Sequence, residues 1–260
     1  MQGKWFLVVF TVLSVAAALL LPATPQPIDY HDFADQRSML GVTNFLDVAS
    51  NAGFLVVGLA GLVIALHRRT EFEYPSERLP YAMFFIGVAL TAAGSGYYHL
   101  APDNERLFWD RLPMTVAFMS LIAAQITERI SVRAGLALLA PMLVVGLASV
   151  VYWIFTERAG AGNVIPYVVL QAYAVAALLL IALTRPSRYT RGTDIYWVFG
   201  GYVAAKLLEF LDHQVLEFLG LASGHSLKHL VAALAGLVVC RMLLLRKLRD
   251  SLMVFLPGRG

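Results

Sequence analysis

Ser95 and His99 stand four residues apart at the end of the apolar run LPYAMFFIGVALTAAGSGYYHL, Asp110 follows in WDRLPM, and His225 and His229 repeat the four-residue interval in GHSLKH. Residues i and i+4 share one face of a helix. Two histidines so spaced can reach a single metal ion, and His99 from another segment supplies a third imidazole. Three neutral imidazoles and an open fourth position form the ligand set of a catalytic zinc. That open position takes a water whose pKa falls to about 7. Asp110 can orient the water, accept its proton and pass it to a leaving amine, and Ser95 can donate a hydrogen bond to the developing oxyanion. Serine and histidine also act as interhelical glue in membrane bundles. Five such groups at one depth, with an aspartate that is costly in a membrane unless functional, favour the metal.

The elements that must position these residues are apolar. Of 260 residues, 59% are apolar and 14% charged, with a mean hydropathy of +0.69, whereas soluble domains carry about 25% charged residues. Runs long enough to cross a hydrocarbon layer of ~30 Å recur, at 5–22, 44–67, 79–100, 112–130, 134–156, 164–184, 195–219 and 226–246. Each is read as a helix, because backbone in lipid must satisfy its own hydrogen bonds. The connections are short, no repeat or low-complexity segment is present, and no separate soluble domain fits between the runs. The fold class expected is an all-α polytopic membrane protein, a seven-helix bundle at 29–250 with one extra N-terminal helix. The first run carries Lys4, an apolar stretch and small residues, as a signal peptide does. Its length favours a retained helix or signal anchor over 1–28, and 251–260 is expected to be a cytoplasmic tail.

The net charge of +3 does not point to nucleic acid, because the basic residues gather at alternate ends of the runs. Lys4, Arg68, Arg69, Arg78, Arg129, Arg133, Arg185, Arg188, Arg191 and the tail from Arg241 fall on one side if the runs alternate. Only Arg37, Arg106, Arg111, Arg158 and Lys228 fall on the other, with the acidic stretch DYHDFAD. The first side is predicted to be cytoplasmic, which places the serine, the aspartate and the histidines near the outer face. Asp110 is expected at the start of its helix, just ahead of Pro113 in a first turn that tolerates proline. The lone cysteine, Cys240, lies within the last run and excludes an intramolecular disulfide.

Ser-x-x-x-His, an aspartate eleven residues on and a final His-x-x-x-His resemble the signature of the alkaline ceramidases. These belong to a superfamily of seven-helix membrane hydrolases that includes the progestin and adiponectin receptors and the hemolysin-III-like proteins. The stretch NFLDVASN, Asn44 to Asn51, resembles the opening of the first core helix of the ceramidase branch. The resemblance spans about 29–246. It implies zinc on His99, His225 and His229, Asp110 as the acid and base on the zinc-bound water, and Ser95 as the oxyanion partner. It also implies a calcium ion on the acidic segment before that helix, where Asp29, Asp32 and Asn44 are the candidates; Asp35 lies in the same segment. Carboxylates and amides suit calcium, although asparagine stands at 44 where the family has glutamate. A solvated acidic loop is the other reading of this segment.

The seventh run contains KLLEFLDHQ, with Lys206, Glu209, Asp212 and His213 expected on one helix face. Two readings stay open: a proton relay or support for the metal site, or a Lys206–Glu209 pair that fixes helix registry. Tyr97, Tyr98 and Trp109 are assigned to an outer aromatic belt, His31 and His67 to solvated surface, and Glu71–Arg78 to a cytoplasmic turn without chemistry. The function expected is an intramembrane zinc amidohydrolase acting on ceramide or another N-acyl lipid, in a bacterial inner membrane. The rivals are a receptor-like metal-binding protein of the same superfamily and a proton-coupled transporter; the broken-helix repeats of transporters are not evident.

Overall fold

A computed structural model describes residues 2–249, and the expected tail 251–260 lies outside them. The order is α1 (Gln2–Leu20), α2 (Phe45–Ser50), α3 (Ala52–Leu66), α4 (Arg78–Leu100), α5 (Asn104–Arg129), α6 (Val132–Arg158), α7 (Ile165–Thr184), α8 (Asp194–Phe210), α9 (Asp212–Leu219) and α10 (Gly224–Leu245), with short 3-10 turns at Ile28–His31 and Pro75–Glu77. Among the described residues the only β pairings are two isolated bridges. Among the described residues, six stretches are long and apolar enough to cross a membrane: Phe45–Leu66, Pro75–Leu100, Asn104–Arg129, Val132–Arg158, Ile165–Thr184 and Gly224–Leu245. The chain is an all-helical, multi-pass membrane protein.

Two expected elements differ in detail. The run at 44–67 is two helices joined at Asn51, whose φ of −65° and ψ of −17° keep the path helical. The run at 195–219 is broken at Leu211 into α8 and α9. The break frees the Asp212 carboxylate to accept hydrogen bonds from the backbone N–H of His225 at 2.7 Å and of Ala34 at 2.9 Å. The first run forms the helix α1, Gln2–Leu20. It packs on α7, with Phe10 stacked on Tyr173 and a Thr11–Tyr173 hydroxyl contact of 3.0 Å.

Side-chain oxygens from Asp103, Ser131 and Ser223 cap α5, α6 and α10, satisfying helix-start N–H groups that would otherwise lack a partner. One core cluster joins Phe84, Phe85, Leu121, Val239 and Leu243 between α4, α5 and α10. A second gathers Phe33, Tyr98, Leu107, Trp153 and Tyr167 at the end where the candidate residues lie.

The opposite end is closed by a buried polar plug. Arg246 pairs with Glu128 at 3.0 Å inside a cage of Phe72, Tyr81 and Tyr189. The Tyr189 hydroxyl donates to Glu77 at 2.9 Å, and Arg188 pairs with Glu77 at 3.3 Å. The segment Glu71–Arg78, expected to be a bare turn, supplies Phe72 and Glu77 to this plug, because a charge buried at a helix end must be paired.

Candidate metal centre and its cavity

His99 ends α4, and His225 and His229 occupy the first two turns of α10. All three imidazoles are buried, and one ligand nitrogen from each lies within 4.8 Å of the other two. His99 Nε2 and His225 Nε2 are 3.2 Å apart. No other trio of His, Cys, Asp or Glu side chains among the described residues is gathered in this way. Phe33 covers the cluster from the N-terminal loop, its ring 4.7 Å from that of His99 and 4.4 Å from that of His225.

Two glycines permit the convergence. A Cβ on Gly94 would collide with the backbone carbonyl of Trp109, and one on Gly224 with that of Leu208. The first contact has a cause in the sequence. α5 begins at Asn104, so Pro113 lies inside the helix rather than in its first turn as expected. Proline has no N–H to give the carbonyl four residues back, and that carbonyl is Trp109. The α4–α5 approach at Gly94 brings Ser95 beside Asp110, and both border the same cavity as His229.

The imidazoles are held by neighbours that sequence reading missed. Ser50 Oγ lies 2.8 Å from His229 Nδ1 and donates its one proton to the Asp47 carbonyl at 3.1 Å. The hydroxyl therefore accepts from Nδ1–H, which leaves Nε2 of His229 as the lone-pair nitrogen, the arrangement a metal ligand requires. Asp212 holds the backbone of His225. The Asn44 amide donates to the His99 carbonyl at 2.9 Å, from a backbone with φ +47°. Asp47 is buried, with Oδ1 accepting from Ser223 and Ser226 and Oδ2 unpartnered among the described residues. The His99 Nδ1 likewise has no partner there. NFLDVASN contained Asn44, Asp47 and Ser50, but their partners lie far along the chain and leave no local spacing to find.

Of the calcium candidates, Asp29 and Asp32 are exposed in the loop, Asp32 accepting from Gln36 at 3.2 Å, whereas Asn44 is buried beneath His99. Asp35 is buried against Arg37, 2.7 Å away, and that guanidinium holds its carboxyl below the usual range. Tyr98 is not a belt residue: it is buried beside His99, and its hydroxyl meets His31 Nδ1 at 2.8 Å. His31 also reaches Asn104 at 3.0 Å, so it ties the loop to α4 and α5 instead of facing solvent. Tyr97 and Trp109 remain exposed, and so does His213.

Beneath the imidazoles runs an apolar cavity of about 460 Å³ between α4, α5, α7, α8 and α10. Along α4 its lining extends from Ser95 to Phe84, about 16 Å of helix. Its polar end carries Arg111, Lys206, Glu209 and Lys228 as well as Ser95, Asp110 and His229. Glu209 pairs with Lys206 and, at 2.9 Å, with Lys228. Asp212, expected on the same face, has left that group for its capping role. No protein-family model matches this chain and no curated protein matches it, so a functional reading rests on the site itself.

Proposed function

We propose that this protein is a multi-pass membrane amidohydrolase that cleaves an N-acyl lipid at a zinc centre held by His99, His225 and His229. The observation that carries the reading is the meeting of three buried imidazoles with Ser95 and Asp110 at the polar end of a long apolar cavity. The residues fit such a metal. Two Nε2 atoms face each other closely enough to share one ion, and Ser50 fixes the third imidazole in the tautomer a ligand needs. Zinc there would supply Lewis acidity and acidify a water.

The chain's own groups account for the rest. The acyl tail occupies the apolar cavity and the amide lies level with Ser95 and Asp110. Asp110 accepts a proton from the attacking water and delivers it to the amine nitrogen as the C–N bond breaks, giving a carboxylic acid and an amine. The Ser95 hydroxyl donates to the carbonyl oxygen as negative charge develops on it. Phe33 shields the imidazoles from water on the loop side.

This reading carries the alkaline ceramidase likeness with it. α2–α3, α4, α5, α6, α7, α8–α9 and α10 serve as the seven spans and α1 as a signal anchor. The site faces the outer side of a bacterial inner membrane. Asp29, Asp32 and the oxygen of Asn44 offer calcium a weak set of ligands.

The test is metal content of the purified protein, followed by hydrolysis of N-acyl lipids. About one zinc per chain, lost in His225→Ala/His229→Ala, together with turnover abolished in Asp110→Asn, is the expected result. Absence of metal even after zinc is supplied refutes the reading. Metal without turnover of ceramide or any other N-acyl lipid transfers the site to a receptor-like, non-hydrolytic role.

A further inference from the structure

Two arginines among the described residues are buried in aromatic cages, and they differ in one respect. Arg246 lies among Phe72, Tyr81 and Tyr189 and has a carboxylate counter-ion, Glu128 at 3.0 Å. Arg111 lies among Trp153, Tyr167 and Tyr30, with ring centroids 4.3, 4.7 and 5.4 Å from its Cζ. It is 4% exposed and makes no ion pair among the described residues. Its Nη2 donates to the Gln26 side-chain oxygen at 2.7 Å, while its Nη1 is buried without a partner among the described residues. The Gln26 backbone N–H in turn donates to Glu157, so the hydrogen-bonded route to that carboxylate passes through a neutral amide, and the neighbouring Asp110 carboxylate acts on Arg111 through space without a hydrogen bond. An arginine at such depth is costly unless something compensates it.

Arg111 borders the cavity directly beside Asp110. The same rim carries Lys206 and Lys228, which share the single carboxylate of Glu209. With Asp110 as the other carboxylate of this end, three cations face two carboxylates where a substrate headgroup would sit, while most of the remaining lining is apolar. Aromatic faces hold the guanidinium without neutralising it, and a planar, always-charged donor with one free edge suits an anionic oxygen.

We propose that Arg111 binds an anionic oxygen on the headgroup of the lipid, so that the preferred substrate is an N-acyl lipid whose amine portion carries a carboxylate or a phosphate. Ceramide, whose headgroup is neutral, would then be a poorer ligand. The assignment rests on the hydrolase reading for the position of the amide but not for the anion site itself. Binding can thus be measured without turnover.

The test uses the full chain in phosphatidylcholine nanodiscs and in an Asp110→Asn background, which stops turnover equally in every arm. Equilibrium binding is measured for N-palmitoylglycine, N-palmitoyl-O-phosphoethanolamine and neutral N-palmitoylethanolamine. At least one of the anionic lipids should bind on the order of tenfold tighter than the neutral one, the size of one charge-assisted hydrogen bond. Whichever of them binds tighter identifies the source as carboxylate or phosphate. Arg111→Gln should abolish that preference and leave affinity for the neutral lipid unchanged, which also shows that the variant is folded. Arg111→Lys, which keeps the charge, should retain most of the preference. Equal affinity for all three lipids in the parent overturns the proposal. So does a preference that survives Arg111→Gln, since the lysines would then hold the anion. Failure of the hydrolase reading would show separately, as missing zinc or missing turnover.

Discussion

Removing the Ser50 hydroxyl should weaken metal binding without removing a ligand. In Ser50→Ala the His229 Nδ1–H loses its acceptor at 2.8 Å, inside a site where all three imidazoles are buried. An unpaired buried donor costs about 1–3 kcal/mol, and loss of a ligand's outer partner commonly lowers metal affinity by about 10–100-fold. Local structure selects the lower end. The Asp47 carbonyl, which Ser50 and Asn51 now occupy at 3.1 and 2.7 Å, borders the same ring and can take part of the released proton's bond. Affinity should therefore fall about tenfold, equivalent to about 1.4 kcal/mol. Competition with a graded series of chelators would measure this on wild type, Ser50→Ala and Ser50→Thr, the last retaining the hydroxyl. Equal zinc affinity in wild type and Ser50→Ala would refute the claim that Ser50 sets the tautomer of a metal ligand. Loss of binding in Ser50→Thr as large as in Ser50→Ala would refute it too.

Gly94→Ala should destabilise the protein by about 1–3 kcal/mol through overpacking against the Trp109 carbonyl, seen as a lowered Tm. Gly96→Ala, where a new methyl meets open space, should leave Tm unchanged or raise it. Asp212→Ala strips a buried acceptor from the N–H groups of His225 and Ala34 and should lower both Tm and zinc occupancy; His213→Ala, exposed one residue on, should change neither. Glu128→Gln leaves Arg246 caged without its counter-ion, at a cost of about 3–5 kcal/mol. Because that pair lies at the far end of the bundle from the imidazoles, Tm should drop while the zinc content of the folded fraction stays at the wild-type value.

The three imidazoles, Ser95 and Asp110 were legible because i, i+4 spacing and the alternation of apolar runs place side chains by face and by depth, and those are the coordinates that matter for this cluster. Their supports were not. Ser50 and His229 are 179 residues apart, and Ala34 and Asp212 are 178 apart, so no local pattern announces either bond. The break at Leu211 was hidden because Lys206, Glu209 and Asp212 keep three-residue spacing across it, which reads as one continuous polar helix face, whereas the interruption accompanies what Asp212 binds elsewhere. Arg111 was counted with the outer loops. Hydropathy starts the fourth span after it, whereas the helix starts at Asn104 and carries it into the protein. Tyr98 shows the same blindness in azimuth: Tyr97 and Tyr98 share a depth, but only one faces the interior.

The wide separation of the imidazoles also orders events during synthesis. His99 and His225 are 126 residues apart, and α5 through α9 must be made and inserted between them. While the ribosome is still producing those helices, the nascent chain holds one imidazole of the trio and cannot chelate an ion. If the trio holds an ion as proposed, its capture would have to wait until α10 enters the membrane beside α4. A chain terminated before Gly224 would keep five of the six long apolar stretches found among the described residues, and so its capacity for membrane insertion, yet it would lack two of the three imidazoles.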